Sequence, residues 1–207
     1  MNKTARMQST AKSPLVWIAL LVGGAAIVTI LLASRGDDAV EVRFETSSVQ
    51  VSGPELPAYA QPDPAVGMLA PTVVASTLDG DRVELGAAGN PLVVGFFAHW
   101  CSHCQNEVPR AVQWMSAPDL PTGVEVVAVS TAVNPQADNY PPSAWFERVR
   151  WPTPVLLDSE TGEIATKFGL PAFPYWVAIN GDGEIVARVS GEIGEEGFRY
   201  LLTLAAG

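Results

Sequence analysis

The chain has 207 residues, 48% of them hydrophobic and 16% charged, which is long enough and apolar enough for one domain with a buried core. Its 22 acidic residues outnumber its 12 basic residues and give a formal net charge of -10. Since this charge repels phosphate groups, it argues against nucleic-acid binding and against docking of the folded body on anionic lipid.

The N-terminal part has the opposite charge, with four basic and no acidic residues in residues 1–36. Residues 14–33 are uncharged, and a run of about 20 apolar residues is what a helix needs to cross a membrane. We therefore predict a single transmembrane helix over residues 14–33, with the basic residues 1–13 in the cytoplasm and the rest of the chain outside the cell membrane. A cleaved signal peptide is the alternative. In both cases the body enters a compartment in which disulfides persist.

Residues 34–66 are acidic at first and then rich in proline and small residues. Closely spaced prolines favour an extended chain, so this segment is predicted to be an extracytoplasmic linker. One short strand is expected within it, at residues 40–44. The folded domain is predicted to span residues 67–207.

Short apolar runs alternate with amphipathic segments throughout this domain, as in proteins that layer helices on a sheet. The continuous apolar run at residues 91–97 predicts a central strand that is covered on both faces. The first expected elements, in chain order, are a hairpin of residues 72–76 and 82–85, the strand 91–97, a helix that starts at a C-x-x-C pair and is kinked by Pro109, and a strand at 124–129. They are followed by a helix at 143–150, a strand at 154–157 and a helix at 159–168. A hairpin of 175–179 and 184–189 and a closing helix that contains Phe198 and Ala205 complete the domain. Together they predict an α/β sandwich with a mixed central sheet.

Six residues, 99–104, contain both cysteines and both histidines of the chain. Cys101 and Cys104 form a C-x-x-C pair between the predicted central strand and the helix that follows it. At a helix start the exposed backbone amides and the helix dipole favour a thiolate, so Cys101 is predicted to be the attacking sulfur. Cys104 lies one turn further along and is predicted to be the more buried, resolving thiol.

Two residues near the cysteines are candidates for adjusting their chemistry. An imidazole at His103 would stabilise the Cys101 thiolate and make the pair more oxidising, unless His103 is merely an exposed residue at the helix start. Glu107 follows on the helix face that adjoins the sulfurs. There it either relays the proton of Cys104 or is simply solvated.

His99 and Trp100 directly precede the pair. We expect His99 to be solvated at the surface, whereas Trp100 either covers the site, as a substrate-binding residue, or packs on the sheet. Metal binding is an alternative use of this stretch, but structural zinc sites usually draw their ligands from two separated pairs, and the chain has no second pair. No metal and no cofactor are therefore predicted. An inert structural disulfide is a further alternative.

Four motifs lie at characteristic places along residues 66–206: the stretch from Phe96 to Cys104, the tripeptide Glu107-Val108-Pro109, the pair of segments Gly67 to Pro71 and Leu78 to Gly80, and the segment from Pro174 to Gly183. Together they resemble the TlpA/ResA-like thiol-disulfide oxidoreductases, which are membrane-anchored members of the thioredoxin superfamily. The resemblance implies a thioredoxin-like fold with a redoxin domain and a redox-active Cys101–Cys104 pair.

By this resemblance Pro174 is the cis-proline that faces the cysteines, and the backbone of Phe173 offers hydrogen bonds to a substrate polypeptide. Phe173 and Pro174 are then the expected substrate-binding residues, with Pro171 as a competing candidate for the cis-proline. Thioredoxin itself has a buried aspartate on the strand before the cysteines, where this chain has Gly95. That difference makes Glu107 the better candidate for a proton relay.

These residues predict an extracytoplasmic, membrane-tethered thiol-disulfide oxidoreductase. Its predicted partners are cysteine-containing exported proteins and a membrane-bound or extracytoplasmic redox partner. The resemblance favours reduction, for example of apocytochrome cysteines in cytochrome c maturation, whereas His103 favours oxidation or isomerisation of exported protein disulfides. A metal-binding chaperone and a peroxiredoxin-like peroxidase are alternatives, although no Pro-x-x-x-Thr-x-x-Cys pattern surrounds Cys101.

Overall fold

The computed structural model describes residues 45–86 and 88–207. The predicted cytoplasmic N-terminus, the predicted transmembrane helix of residues 14–33 and the predicted strand of residues 40–44 lie outside these ranges. No helix within them is long and apolar enough to cross a membrane.

Strands and helices alternate along the described residues. The strands are β1 (Gln50–Ser52), β2 (Thr72–Ser76), β3 (Arg82–Leu85), β4 (Leu92–Phe97), β5 (Glu125–Ser130), β6 (Val155–Leu157), β7 (Tyr175–Ile179) and β8 (Ile185–Ser190). The helices are α1 (Ser102–Met115), α2 (Pro142–Val149), α3 (Glu163–Lys167) and α4 (Gly194–Ala206).

A five-stranded sheet with the order β6-β5-β4-β7-β8 forms the centre of the domain. Strands β4, β5 and β6 run parallel to one another, while β7 is antiparallel to both of its neighbours. All six residues of β4 are buried because this strand lies in the middle of the sheet and both of its faces are covered. The predicted α/β architecture with a mixed central sheet is therefore confirmed.

A second, antiparallel sheet has the order β1-β2-β3. The turn between β2 and β3 is closed by a 2.8 Å hydrogen bond from the Thr77 N–H to the Asp81 carbonyl. Gly80 has a φ of 87° within this turn, a conformation that glycine adopts without strain. The hairpin predicted from the Asp-Gly dipeptide is thus confirmed.

Residues 45–66 pack on the domain, which differs from the extended linker that we predicted for them. Their β1 pairs with β2, and the Leu56 and Ala65 side chains are almost fully buried. Asp63 accepts a 2.9 Å hydrogen bond from Nε of Arg188 on β8, which is itself buried. A proline-rich segment is extended in either case, but these side chains supply enough contacts to fix it against the sheet.

The two faces of the central sheet carry separate apolar clusters. Since side chains alternate between faces along a strand, the neighbours Tyr175 and Trp176 of β7 belong to different clusters. The first cluster includes Leu56 and the second includes Cys104. Cys104 and the 45–66 segment therefore contact opposite faces of the sheet.

Helix α1 places the cysteine pair at the carboxyl end of the central strand β4. It connects the parallel strands β4 and β5, so it begins where the carboxyl end of β4 emerges from the core. Cys101 is its N-cap residue, with extended φ and ψ angles of -74° and 121°, and the helix runs on through Pro109 to Met115. The predicted position of Cys101 at a helix start is confirmed.

Candidate functional site

Both cysteines are free thiols in different surroundings. Cys101 is half-buried, and its thiol donates to the carbonyl oxygen of Phe173 over 3.9 Å. Cys104 has no exposed surface, as its predicted role as the more buried sulfur requires. A substrate sulfur can therefore approach Cys101 but not Cys104.

The segment opposite Cys101 contains the predicted cis-proline. The Phe173–Pro174 peptide bond is cis, whereas Pro171 does not follow a cis bond. The Phe173 carbonyl that meets the Cys101 thiol belongs to the same bond. The structure thus brings Phe173 and Pro174 to the cysteines from 72 residues further along the chain.

Trp100 lies at the surface beside the thiol. Its side chain is 40% exposed, and its ring meets the ring of Phe173 edge to face, with 6.0 Å between the centroids. Its indole N–H donates to the carbonyl of Ala132 over 2.7 Å. Of the two interpretations left open by the sequence, this placement supports Trp100 as a residue that covers the site.

A pocket of about 330 Å³ opens next to Phe173. Residues from three segments line it, among them Ala132, Gly162, Thr166 and Leu170. It lies on the Trp100 side of the thiol, because Ala132 contacts both the pocket and the indole. A side chain that flanks a substrate cysteine would fit a space of this size.

Burial dominates the electrostatics of Cys104 and Glu107. Loss of hydration raises the pKa of the Cys104 thiol, and the charges of Cys101 and Glu107 act in the same direction. Glu107 is also fully buried, and burial likewise raises the pKa of its carboxyl group. The two groups lie three residues apart on one face of α1, and the charge of Glu107 acts on the Cys104 thiol. The Glu107 carboxylate is therefore a buried acceptor near the proton of Cys104.

Three N–H groups hold the Glu107 carboxylate in place and partly oppose the effect of burial on its pKa. The indole of Trp176 donates to Oε1 over 2.7 Å, and the backbone of Ile193 donates to Oε2 over 2.6 Å. Gly194 N–H is 3.4 Å from the same Oε2. Glu107 is therefore not the solvated carboxylate of the alternative interpretation; its role as a proton relay stays a prediction.

His103 is exposed, with 67% of its side chain accessible. Its Nδ1 lies 2.7 Å from Oε1 of Glu192, in the loop between β8 and α4. The guanidinium of Arg110 donates to the other oxygen of the same carboxylate over 3.3 Å. The predicted effect of His103 on the Cys101 thiolate stays a prediction.

The prediction that His99 is solvated at the surface is wrong. Its side chain is 1% exposed, because the loop of residues 131–141 folds over it. Nδ1 lies 2.8 Å from the carbonyl oxygen of Asp138, and Nε2 accepts the backbone N–H of Asn134 over 3.1 Å. Both ring nitrogens are therefore engaged by the loop backbone.

Among residues 45–86 and 88–207, no three or more histidine, cysteine or acidic residues are grouped so that they could hold a metal ion.

The sequence did not predict Glu192 as a residue of the site, although it reaches His103 across 89 residues of chain. No local pattern marks such a contact, since it depends on where β8 ends relative to α1.

Residues 65–201 of the chain match the Redoxin family. The chain is 25% identical over 128 residues to the thiol-disulfide oxidoreductase ResA of Bacillus anthracis, an alignment that covers 61% of this chain and 70% of that protein. ResA of Bacillus thuringiensis matches to the same extent, with 25% identity over 128 residues, 61% of this chain and 70% of that protein.

Solved structures show the same fold. StoA from Bacillus subtilis superposes with a TM-score of 0.54 at 22% identity, over 67% of this chain and 98% of that one. A thiol:disulfide interchange protein of the thioredoxin family from Chlorobium tepidum gives a TM-score of 0.55 at 22% identity, over 68% of this chain and 97% of that one. The fold is therefore thioredoxin-like.

Proposed function

The chain belongs to the Redoxin family and is a thiol-disulfide oxidoreductase, and we propose that it exchanges disulfides with exported proteins through Cys101 and Cys104 while anchored in the membrane by residues 14–33. The observation that carries this proposal is the contact between the half-buried Cys101 thiol and the Phe173 carbonyl next to cis-Pro174. It places a reactive sulfur against a stretch of backbone that can bind an extended polypeptide.

In the reductive direction, the Cys101 thiolate attacks one sulfur of a substrate disulfide. The substrate S–S bond breaks, one substrate sulfur leaves as a thiolate and takes up a proton, and Cys101 becomes joined to the other sulfur. The N-cap position of Cys101 supports this step, because the amides of the first turn of α1 favour negative charge there.

Cys104 completes the exchange. Its raised pKa keeps it a thiol at neutral pH, so it must lose its proton as it attacks the sulfur of Cys101. The Glu107 carboxylate accepts that proton, the second substrate sulfur leaves, and a Cys101–Cys104 disulfide forms. Two electrons have then passed to the substrate, and a dithiol redox partner restores the pair.

The substrates that we propose are unfolded or extended cysteine-containing segments of exported proteins. The pocket beside Phe173 would take a side chain next to the substrate cysteine. Apocytochrome c is one such substrate, because its cysteines must be reduced before haem attachment. The likeness to ResA supports thiol-disulfide exchange as the activity of the family.

Oxidation or isomerisation of exported disulfides is the second candidate, and the histidine between the cysteines favours it. Equilibration of the pair with glutathione at known ratios measures its reduction potential and decides between the two. A reduction potential of about -270 mV supports a reductase, and one of about -120 mV supports an oxidase.

The exchange itself is tested with three single variants in an insulin-reduction assay. Cys101→Ser should abolish turnover because it removes the attacking sulfur, whereas Cys104→Ser should accumulate a mixed disulfide on Cys101. Ser102→Ala, at the exposed position between them, is the matched control and should retain activity. Full turnover by Cys101→Ser would refute the proposal.

The proposed location is tested in intact cells with a membrane-impermeant maleimide. Labelling of Cys101 without permeabilisation, on protein that resists alkaline extraction, is the expected result. Labelling only after permeabilisation would contradict an extracytoplasmic domain, and release by alkali would contradict the anchor.

A further inference from the structure

The loop that joins β8 to α4 contacts α1 through the side chain of Glu192 and through the backbone of Ile193. The carboxylate of Glu192 lies 2.7 Å from Nδ1 of His103 and accepts a hydrogen bond from Arg110 over 3.3 Å. The next backbone N–H, that of Ile193, donates to the buried Glu107 over 2.6 Å. A single short loop therefore binds the side chain between the two cysteines and the carboxyl group beneath them.

The contact with Glu192 determines how the imidazole of His103 is oriented. A carboxylate only accepts hydrogen bonds, so Nδ1 carries the hydrogen and faces Glu192. The Cys101 thiol instead donates to the Phe173 carbonyl. Within the described residues, His103 thus makes its hydrogen bond to a carboxylate and none to the sulfur two residues before it.

A carboxylate beside an imidazole also changes the field at the sulfur. A protonated imidazole alone would stabilise the Cys101 thiolate, and hence the reduced form of the pair. A negative charge 2.7 Å from the ring opposes that effect at the sulfur, because the two charges then act as a dipole.

We propose that Glu192 is a positioning residue that holds His103 away from Cys101 and balances its charge, and so keeps the Cys101–Cys104 pair more reducing than its Ser-His dipeptide would otherwise make it. The inference rests on the proposed exchange by these two cysteines. It explains how a dipeptide typical of oxidants can occur in a chain that resembles a ResA-type reductase.

Two substitutions separate the two parts of this role. Glu192→Gln keeps an acceptor for Nδ1–H but removes the charge, whereas Glu192→Ala also releases the ring to other staggered rotamers. In the reaction of the protein disulfide with two glutathione molecules, which yields the dithiol and one glutathione disulfide, both variants should shift the equilibrium toward the dithiol. We expect about a threefold shift for a partly exposed pair, larger for Glu192→Ala and smaller at high salt.

The charge of Glu192 also raises the pKa of the Glu107 carboxyl group, although burial has the larger effect. The His103→Gln background separates this route from the one proposed. If Glu192 acts through the imidazole, Glu192→Gln should shift the equilibrium of the His103→Gln protein by much less than it shifts that of the wild type. Glu195→Gln is the matched control, since it removes an equal charge from the first turn of α4 but contacts Arg199 instead.

The experiment uses the full chain, anaerobic glutathione mixtures at pH 7 and alkylation of free thiols for readout by mass. The inference is overturned if Glu192→Gln and Glu192→Ala leave the equilibrium where Glu195→Gln leaves it, or if their shift is just as large in the His103→Gln protein. A wild-type pair that never equilibrates with glutathione refutes the proposed exchange itself, which is a different result from an ordinary equilibrium that Glu192 does not move.

Discussion

The Glu107 carboxyl group is subject to opposing influences. Burial raises its pKa above the ordinary value of 4.5, while N–H groups of Trp176, Ile193 and Gly194 favour its charged form. The raised pKa means that the folded chain binds this proton more tightly than the unfolded chain does. The contribution of Glu107 to stability is therefore fully present below pH 4.5 and is lost as the pH rises through the folded-state pKa.

Replacing Glu107 by Gln should slow the second step of exchange, because an amide cannot take the proton of Cys104. We expect resolution of the mixed disulfide to slow by about a hundredfold, the lower end of the range for general base catalysis. Rapid quenching and mass spectrometry over pH 5.5–8.5 measure this step. The wild-type rate should fall as the pH drops through the pKa of Glu107, whereas the variant should follow hydroxide concentration alone.

Asn106→Ala, at an exposed neighbouring position, serves as the control for that measurement. An unchanged resolution rate and pH profile in Glu107→Gln would rule out the relay. The sequence predicted Glu107 because it lies on the same helix face as Cys104. It did not predict Glu192, because nothing local connects residues 103 and 192.

Gly95 occupies the position at which thioredoxin has its buried aspartate, and the surrounding rings leave no room for a side chain there. A Cβ atom at Gly95 would lie 2.6 Å from the ring of Phe97 and 2.8 Å from that of Trp176. Both rings are fully buried, so they have no room to move aside. The same Trp176 binds Glu107, which means that the indole both excludes a side chain at position 95 and holds the Glu107 carboxylate.

At the scale of elements, the His99 side chain binds the loop of residues 131–141 from outside it. Both nitrogens of His99 bind its backbone, and the carbonyl of His99 accepts a hydrogen bond from the Asn139 side chain. The loop in turn supplies Ala132, whose carbonyl binds the Trp100 indole. The surface beside Cys101 is therefore fixed indirectly by the residue two positions before it.

Replacing His99 by Ala should destabilise the domain by about 1–3 kcal/mol, because it removes a buried side chain together with its hydrogen bonds to the loop backbone. Chemical denaturation measures the loss, and hydrogen exchange should show faster exchange of the Asn134 amide. Gln136→Ala, at an exposed position of the same loop, is the control. Equal stability and equal exchange in the two variants would contradict this role of His99.

Elements with strong local patterns were predicted closely, and those fixed by side-chain contacts were not. The apolar run that forms β4 and the Asp-Gly hairpin are marked by their own residues. Helix α3 is shorter than predicted, because Asp158 accepts the N–H groups of Ile164 and Ala165 and the preceding turn stays outside the helix. The three residues of β1 are too few to form a recognisable pattern.

At the scale of the whole domain, residues 45–66 are fastened by a buried ion pair. Arg188 is 3% exposed and binds Asp63 across 125 residues of chain, as well as the Pro57 carbonyl. Burial works against the charged form of Asp63, but hydrogen bonds from Arg188 and Ala65 outweigh it and lower the pKa of that carboxyl group. Contacts this distant in sequence cannot be read from composition, which is why the segment was predicted as a linker.

Replacing Asp63 by Asn should destabilise the domain by about 3 kcal/mol, because it leaves Arg188 buried without its counter-charge. Thermal and chemical unfolding of the full chain measure the change. The lost stability is the part that the wild type has above pH 3.8 and loses as the pH falls through the lowered pKa, so the two proteins should converge in acid. Asp119→Asn, which breaks an exposed pair with Arg199, is the control and should change little.

The central sheet divides the interior of the domain into two parts, one around the Arg188–Asp63 ion pair and one beside the cysteines. Tyr175 hydrogen-bonds to the Phe168 carbonyl on the side of the Arg188 pair, while the next residue, Trp176, binds Glu107 on the side of the cysteines. The ion pair therefore lies on the face of the sheet opposite the cysteines. Substitutions at this ion pair are therefore expected to change the stability of the domain more than the exchange by the cysteines, because the central sheet lies between the two.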